Sequence, residues 1–486
     1  MINSRIVINV IGFITIIVGL FMLLPALVSY LSEGDDAGCF FISSLIIVGI
    51  GGAFALVRPK DKSIKKREGY LIVGLGWLAM CIAGSLPYLI HHDISISDAL
   101  FESTSGFTTT GATIFIDIES LSFGTLFWRS LTQWIGGMGI IVFTIAIFPL
   151  LGIGGVELFV AESPGPQSDK IHPRIKEVAK RLWFIYVGLT AFLCTILYIF
   201  GEMNFFDSIN HAMTTMSTGG FSTKNASIAH FSSLWVQYPI LIFMFVGGMN
   251  YTIIYLLFKR RFTKAWKSDE FRFYITMVIM LIVFVSGVRS LISELPVEQL
   301  IRESAFQLVS VITTTGYVTA DYTSWHHGLT MLFFILLFVG ACGGSTSGGI
   351  KMIRHLVFLK NSILEFKRIL HPAAFVRLKV DGATIQGRVI THILVFLLFY
   401  LILFVFGSLI MTVIMAHDPT PFMTGIGSTI TCISNVGPAI GSVGPVDNFA
   451  HIPAVGKIFL SFLMIVGRLE VFTVLIILTP YFWKSN

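Results

Sequence analysis

The chain has 486 residues, of which 55% are hydrophobic and only 12% are charged. An ordinary soluble domain is about 25% charged, so the composition excludes a soluble or peripheral protein and predicts an integral membrane protein. The formal net charge of +6 comes from Lys and Arg residues that gather in a few short polar segments. This distribution follows the positive-inside rule for cytoplasmic loops and argues against a surface that binds nucleic acid.

The first 68 residues predict two membrane-spanning helices, over residues 6–30 and 40–57. Each is close to the length of about 20 apolar residues that crosses a bilayer. Residues 58–68 carry six basic and two acidic residues, which places them, and therefore the N-terminus, on the cytoplasmic side. The first run is longer than the core of a signal peptide, so we expect it to be retained.

The rest of the chain repeats one unit four times: a long apolar span, a half-length segment that ends at a glycine, and a second long span. A half-length segment is too short to cross the bilayer and predicts a re-entrant helix. The predicted units are residues 69–180, 181–271, 272–388 and 389–486; the outward spans are 70–90, 182–200, 273–291 and 389–416; and the return spans are 126–152, 234–258, 329–350 and 458–483. The predicted fold is an all-α polytopic membrane protein, with two N-terminal helices plus four helix–pore loop–helix units around a central pore.

Each half-length segment ends in a loop rich in Ser, Thr and Gly. Residues 101–112 (FESTSGFTTTGA) and 306–317 (FQLVSVITTTGY) match at their first residue, at a Ser and at the TTTG sequence. Looser copies occur at residues 215–219 (TMSTG) and 432–437 (CISNVG). One such loop would be ordinary loop composition, but four copies in matched positions favour a shared role.

A dehydrated cation needs oxygens in place of its water shell, and loops that direct backbone carbonyls at one axis supply them. Glycine permits the positive φ angles that such loops need, and each preceding helix points its partly negative C-terminal end at the centre. We therefore predict a cation filter. Its residues are Thr109, Thr110, Gly111, Ser217, Thr218, Gly219, Thr314, Thr315, Gly316, Asn435, Val436 and Gly437.

The third return span contains a Gly-rich interruption, GACGGSTSGG, at residues 340–349. Each Gly costs a helix about 0.8–1 kcal/mol relative to Ala, so the sequence predicts a broken helix beneath the filter that acts as a gate. The alternative is a packing kink against a neighbouring helix. The predicted gate residues are Gly340, Gly343, Gly344, Ser345, Thr346, Ser347, Gly348 and Gly349.

Arg468 lies near the middle of the last span, where a charge costs about 2.5–3.5 kcal/mol. It occupies the place taken by glycine in the matching small-residue patches of the other three return spans. We expect it to face the aqueous pathway as an electrostatic barrier to the ion, or to form a buried structural ion pair. Glu470 is a poor partner for it, because residues two apart on a helix point to different sides.

These features resemble the Trk/Ktr/HKT superfamily of potassium transporters, and more closely its bacterial Trk-type membrane subunits. The resemblance covers essentially the whole chain and rests on the four loop glycines, the segment 340–349 and Arg468. It implies K+ as the transported ion, with no bound organic cofactor in this chain. It also implies a homodimer among the lipids of the bacterial inner membrane, with both termini cytoplasmic, and a cytosolic, nucleotide-binding, TrkA-like regulatory ring.

In plant relatives a Ser at the first filter position accompanies Na+ transport, so Gly111 favours K+. The fourth loop departs from the Thr-Thr-Gly pattern of the family. The basic residues of 351–388 are a candidate docking surface for the regulatory ring, although such charge is also an ordinary topology signal.

Two functions stay open: a gated, channel-like potassium conductor, and a symporter coupled to H+ or Na+, since symporters also use discontinuous helices. Coupling usually needs an intramembrane carboxylate or His, and the obvious one is Glu470, which favours the first. A non-transporting scaffold would have no reason to repeat the loop four times. The sequence shows no catalytic constellation, and we predict that the protein is not an enzyme.

Overall fold

A computed structural model describes residues 2–59, 64–139, 175–372 and 377–484. The described chain is predominantly helical, with very little strand. Its N-terminal part consists of α1 (Ser4–Phe21), α2 (Leu23–Leu31) and α3 (Ala37–Ala55). Helices α1 and α3 pack backbone to backbone, because a Cβ built on Gly12 would lie less than 3.0 Å from the Gly51 carbonyl. Small residues allow this close approach of two helices in a membrane.

The four predicted outward spans are present as long helices. The four predicted re-entrant helices are also present, with 12, 12, 16 and 14 residues, and are too short to cross a bilayer. The outward helices are α4 (Lys66–His91), α7 (Ile175–Ile199), α12 (Asp269–Ile292) and α16 (Gly387–Ile414), and the short helices are α5 (Ile96–Phe107), α8 (Phe205–Met216), α13 (Val297–Ile312) and α17 (Pro421–Ser434).

The return helices differ from the prediction, because the second and fourth are bent as well as the third. The bend is 110° in the second and 113° in the fourth. The first return helix is described only to Gly139, and the rest of the predicted span 126–152 lies outside the described residues. The helices are α6 (Phe123–Gly137), α9 (Leu234–Gly247) with α10 (Tyr251–Phe258), α14 (His327–Leu336) with α15 (Met352–Leu370), and α18 (Ala454–Arg468) with α19 (Val471–Leu478).

The two bends fall at residues 247–250 and 467–470, within the small-residue patches of these return spans, and a feature of the local chain explains each. The side chain of Asn250 accepts a hydrogen bond from the amide of Thr252 at 2.8 Å and so begins α10. Glu470 has a φ of 62°, which ends α18 and redirects the chain into α19. Six described helices are long and apolar enough to cross a membrane, or eight if each bent pair counts as one span. The ten predicted full spans are therefore not all continuous helices.

The remaining described elements are short. Helix α11 (Phe262–Trp266) precedes α12, and α20 (Pro480–Trp483) ends the described chain. Strands β1 (Lys379–Val380) and β2 (Ala383–Thr384) form an antiparallel hairpin. This hairpin lies between α15 and α16, in the predicted docking segment 351–388, and Val380 packs in a small apolar cluster with Leu356 and Ile393.

Candidate functional site

Four loops at the C-terminal ends of α5, α8, α13 and α17 share one backbone conformation. We call them loops 1 to 4, with positions 1 to 4 in chain order: residues 108–111, 217–220, 313–316 and 434–437. Position 2 has a φ between 53° and 56° in every loop, and position 4 is a glycine with a φ between 80° and 97°. Position 2 is Thr109, Thr218, Thr314 and Asn435, and position 4 is Gly111, Gly220, Gly316 and Gly437. The sequence repeat is therefore also a backbone repeat.

The same two hydrogen bonds fix each loop to its own helix. The amide at position 3 donates to the carbonyl five residues earlier at 2.8–3.0 Å, and the amide at position 2 donates to the carbonyl three residues earlier at 3.0–3.4 Å. With a left-handed residue at position 2, this is the Schellman motif that ends many helices. In each case the helix and its loop therefore form one unit.

The left-handed residue of a Schellman motif is usually Gly and sometimes Asn. Only loop 4 follows that preference, with Asn435, whereas loops 1 to 3 have threonine. A β-branched residue in this conformation is an outlier that costs about 1–3 kcal/mol, and such strain gathers at functional sites. Loops 1 to 3 therefore retain hydroxyl groups at position 2 at the expense of stability.

The four loops form a closed ring. A Cβ built on each position-4 glycine would lie less than 3.0 Å from the position-3 carbonyl oxygen of the next loop in chain order, and that of loop 4 would meet loop 1. The contacts run from Gly111 to Gly219, from Gly220 to Thr315, from Gly316 to Val436, and from Gly437 to Thr110. One polypeptide thus brings four glycines together around a common axis.

The register of loop 2 differs by one residue from the sequence prediction. Gly219 was expected to match Gly111, but the glycine with the matching φ is Gly220, and Gly219 matches Thr110. The sequence does contain a signal for the correct register. With Gly220 at position 4, position 1 carries a hydroxyl in all four loops: Thr108, Ser217, Thr313 and Ser434.

The ring is largely buried. Positions 1 to 3 are buried in all four loops, and the glycines of loops 1 to 3 keep intermediate exposure. The four short helices end directly at the ring, so that their partly negative ends point at it. Irregular backbone at membrane depth is tolerated where it lines a watery cavity. The arrangement suits a cation on the axis.

The chain between α14 and α15, residues 337–351, lies against this ring, and we call it the inner segment. The amide of Gly348 donates to the Thr314 hydroxyl at 2.7 Å. The Thr346 hydroxyl donates to the Met216 carbonyl at 3.1 Å and accepts from the Thr218 hydroxyl at 3.2 Å. A Cβ on Gly348 would overlap the Ser434 carbonyl. The segment containing the predicted gate residues thus contacts loops 2, 3 and 4.

Arg468, predicted to face the pathway, holds backbone carbonyls of the inner segment and of α6. Its guanidinium donates to the Thr346 carbonyl at 2.8 Å and to the Gly136 and Gly137 carbonyls at 2.6 and 3.1 Å. Glu470 pairs with Arg354 of α15 at 2.5 Å. The positively charged guanidinium of Arg468 therefore lies directly beside the inner segment, which contacts the ring.

Two further side chains hold the inner segment, and the sequence interpretation missed Glu270. One carboxylate oxygen of Glu270 accepts from the Gly343 amide at 2.7 Å and from the Ile353 amide at 3.1 Å. It thereby joins the middle of the segment to the start of α15. The side-chain amide of Asn250 donates to the Gly343 carbonyl at 2.6 Å.

Comparison with known proteins decides the family. Residues 39–484 match the family model TrkH, described as "Cation transport protein". The chain belongs to the TrkH family.

Relatives in this family match over their full length. The chain is 37% identical over 491 residues to the Trk system potassium uptake protein TrkH of Escherichia coli K12, covering 99% of this chain and 100% of the relative. It is 35% identical over 488 residues to the protein of the same name from Halomonas elongata, with the same coverage.

A solved structure confirms the fold. The crystal structure of the potassium transporter TrkH from Vibrio parahaemolyticus superimposes with a TM-score of 0.88 at 34% identity, covering 99% of this chain and 100% of that one. The predicted fold class, with two N-terminal helices and four repeated units, is therefore that of the family. The protein is a multi-pass membrane protein of a cation transport family.

Proposed function

We propose that this protein takes up K+ through the ring formed by loops 1 to 4. The closed ring of four glycines, each against the backbone carbonyl of the next loop, carries the proposal. The relatives from Escherichia coli and Halomonas elongata are named as potassium uptake proteins. Backbone carbonyls that replace a hydration shell suit an ion that passes dehydrated and is not chemically changed.

The proposed filter keeps the predicted residues and shifts loop 2 by one position. Loop 2 contributes Thr218, Gly219 and Gly220. Ser217 is at position 1, where the other loops also carry a hydroxyl. The other residues are Thr109, Thr110, Gly111, Thr314, Thr315, Gly316, Asn435, Val436 and Gly437. Four helix C-terminal ends favour a cation at the centre, and the glycines leave the axis free of side chains.

The inner segment is proposed as the gate. It carries the predicted residues Gly340, Gly343, Gly344, Ser345, Thr346, Ser347, Gly348 and Gly349. Its contacts with three of the four loops support a position across the pathway and argue against a simple packing kink. Arg468 would place a positive charge beside that position and repel the ion until the segment moves.

We further propose a homodimer in the bacterial inner membrane, with both termini cytoplasmic and a cytosolic nucleotide-binding ring as regulator. The name "Trk system", carried by the relatives, supports additional components. The basic residues of 259–272 and 351–388 support the orientation, since each segment has more Lys and Arg than Asp and Glu. Helix α15, which follows the inner segment directly, would transmit movement of a bound regulator to the gate.

The structure favours a conductor over the alternative of H+- or Na+-coupled symport. The alternative rests on the discontinuous helices and would use Glu470 as its intramembrane carboxylate. In the structure Glu470 is paired with Arg354, and such a pair fixes the start of α19 more readily than it exchanges protons or Na+ with each transport cycle.

The test is uptake of 86Rb+ into bacterial cells that lack their own K+ uptake systems and express this chain. Unlabelled K+ should compete with 86Rb+, and Na+ should not. Gly316→Ser should relax that selectivity, because it adds a side chain at a φ of 81° against the Val436 carbonyl. Gly287→Ser is the matched control, since a Cβ built there meets no atom within 4 Å beyond the adjoining residues and the backbone of its own helix. Equal competition by Na+ in the wild type would refute the proposal.

A further inference from the structure

The four loops are not stabilised in the same way. In loops 1 and 3 the hydroxyls of positions 1 and 3 bond to each other, Thr108 to Thr110 and Thr313 to Thr315, each at 2.8 Å. In loop 2, position 3 is Gly219 and has no hydroxyl. Loop 2 therefore lacks this internal bond and contains two consecutive glycines, the residues that lose most conformational freedom on folding.

Gln133 of α6 occupies the space where a side chain at Gly219 would lie. The three atoms nearest to a Cβ built on Gly219 all belong to the Gln133 side chain. The side-chain amide of Gln133 donates to the Gly219 carbonyl at 2.7 Å and accepts from the Phe221 amide at 3.0 Å. These two bonds hold the backbone on both sides of Gly220, and Gln133 is completely buried.

Among the return helices, this polar side chain is particular to the first. Gln133 lies three residues before Gly136, and the matching residues before Gly247 and Gly467 are Met244 and Met464, which are also completely buried. The corresponding position of the third return span is Gly340. A buried amide at this position thus occurs beside the one loop whose third position is glycine.

Arg129 lies one helical turn before Gln133 in α6. It helps to hold the residues that follow loops 1 and 2. Its guanidinium pairs with Glu102 at 2.8 Å and donates to the Ser222 carbonyl at 3.2 Å. Glu102 accepts from the Ile114 amide at 2.9 Å. Arg129 and Glu102 are 1% and 0% exposed, so this ion pair is fully desolvated and depends on these partners.

We infer that Gln133 is a positioning residue that determines the ion specificity of loop 2, because it replaces the hydroxyl pair that stabilises loops 1 and 3. Gln133 fixes the direction of the Gly219 carbonyl, while Arg129 and Glu102 fix the residues that follow loops 2 and 1. The inference rests on the proposed function, since it concerns the selectivity of the proposed filter.

The first variant is Gln133→Met, which keeps the side-chain length and introduces the residue found at positions 244 and 464. Loss of both amide bonds frees the Gly219 carbonyl, and we expect the selectivity for Rb+ over Na+ to fall about tenfold, which corresponds to about 1.4 kcal/mol. Met244→Ala is the matched control, because it changes an equivalent buried position without a bond to a loop. Selectivity is measured as the ratio of initial 86Rb+ and 22Na+ uptake rates in the same cells.

A rescue experiment separates positioning from simple packing. Gly219→Thr alone should be poorly active, because its side chain collides with Gln133. Gln133→Ala alone should lose selectivity. In the double variant, the introduced threonine has space and can bond to Ser217 as Thr110 bonds to Thr108, so selectivity should return toward the wild-type ratio. A general packing defect would instead be at least as severe in the double variant.

The outcomes distinguish this inference from the proposed function. Wild-type selectivity in both Gln133→Met and Gln133→Ala, with normal amounts of protein in the membrane, overturns the role of Gln133 and leaves the filter intact. A double variant no more selective than Gln133→Ala also overturns it. A wild-type chain that does not favour Rb+ over Na+ refutes the proposed function itself.

Discussion

Loops 1 to 4 and the inner segment are both irregular stretches in a helical membrane protein, but they are held in different ways. Each loop is fixed by Schellman hydrogen bonds to its own helix and by backbone contact with the next loop. The inner segment is also held by side chains from distant elements, namely Glu270, Asn250 and Arg468. Displacing a loop would disrupt a helix end, whereas displacing the segment breaks side-chain bonds and a few backbone bonds to another element, such as those from Cys342 to Gly248 and from Tyr251 to Gly344. The difference suits a rigid filter and a movable gate.

Breaking the ring should have the largest effect. In a Gln133→Ala background, we expect Gly220→Ala to reduce 86Rb+ uptake at least about tenfold, because a φ of 80° and the Thr315 carbonyl leave no room for a Cβ, and such strain amounts to about 1–3 kcal/mol. Gly219→Ala in the same background should be tolerated, since the three atoms nearest to its Cβ all belong to Gln133. Equal activity of the two double variants would contradict the register of loop 2.

Releasing the inner segment at Arg468 should come next. Arg468→Ala removes three hydrogen bonds to carbonyls and a positive charge, and we expect 86Rb+ flux to rise about tenfold, as a loss of about 1.4 kcal/mol from the closed arrangement would produce. Arg468→Lys keeps the positive charge, but an ammonium group cannot reproduce the planar guanidinium that donates to these three carbonyls. Raised flux in Arg468→Lys indicates a tether, whereas wild-type flux in that variant indicates an electrostatic barrier alone.

A smaller increase is expected at Glu270. Glu270→Ala leaves the Gly343 and Ile353 amides without their acceptor, which loosens the segment, and 86Rb+ flux should rise about threefold. Glu270→Gln is the control, because its carbonyl oxygen can accept both bonds. If Glu270→Gln raises flux as much as Glu270→Ala does, then the negative charge matters more than the tether.

The smallest effect is expected outside both regions, at Asp418 before α17. Burial raises the pKa of this carboxyl, but hydrogen bonds from Ser442, Thr420 and Thr424 outweigh it and lower the pKa. The stabilisation is complete above the unfolded-state pKa and is lost as the pH falls below about 4. Thermal unfolding of the detergent-solubilised protein should show a midpoint that drops in this range, and Asp418→Asn should reduce the drop. Uptake selectivity at neutral pH should not change in the variant.

Much of the architecture could be predicted because it repeats. The apolar spans and the loops at residues 108–111 and 313–316 recur with matched spacing, and each copy supports the others. Loop 2 was misaligned because Gly219 and Gly220 are adjacent, so that the glycine alone does not fix the register. The hydroxyl at position 1 is the signal that resolves it.

Other features could not be predicted because they depend on residues far apart in the chain. Arg129 and Glu102 are 27 positions apart and meet only when α5 and α6 pack together. Glu270 and Gly343 are separated by 73 positions. The bend at Asn250 was missed because the sequence around it is as apolar as a continuous span, although a helix-capping amide within such a run favours an interruption.

The hydrogen bond from the Gln133 side chain to the Gly219 carbonyl shows what is gained when four repeated units are joined in a single chain. In a tetramer of identical subunits, any exchange of a threonine for glycine would appear four times around the axis, and so would any compensating side chain. Here glycine occupies position 3 in loop 2 alone, and a neighbouring helix supplies the group that this loop lacks. The surroundings of the ion path can therefore diverge one side at a time.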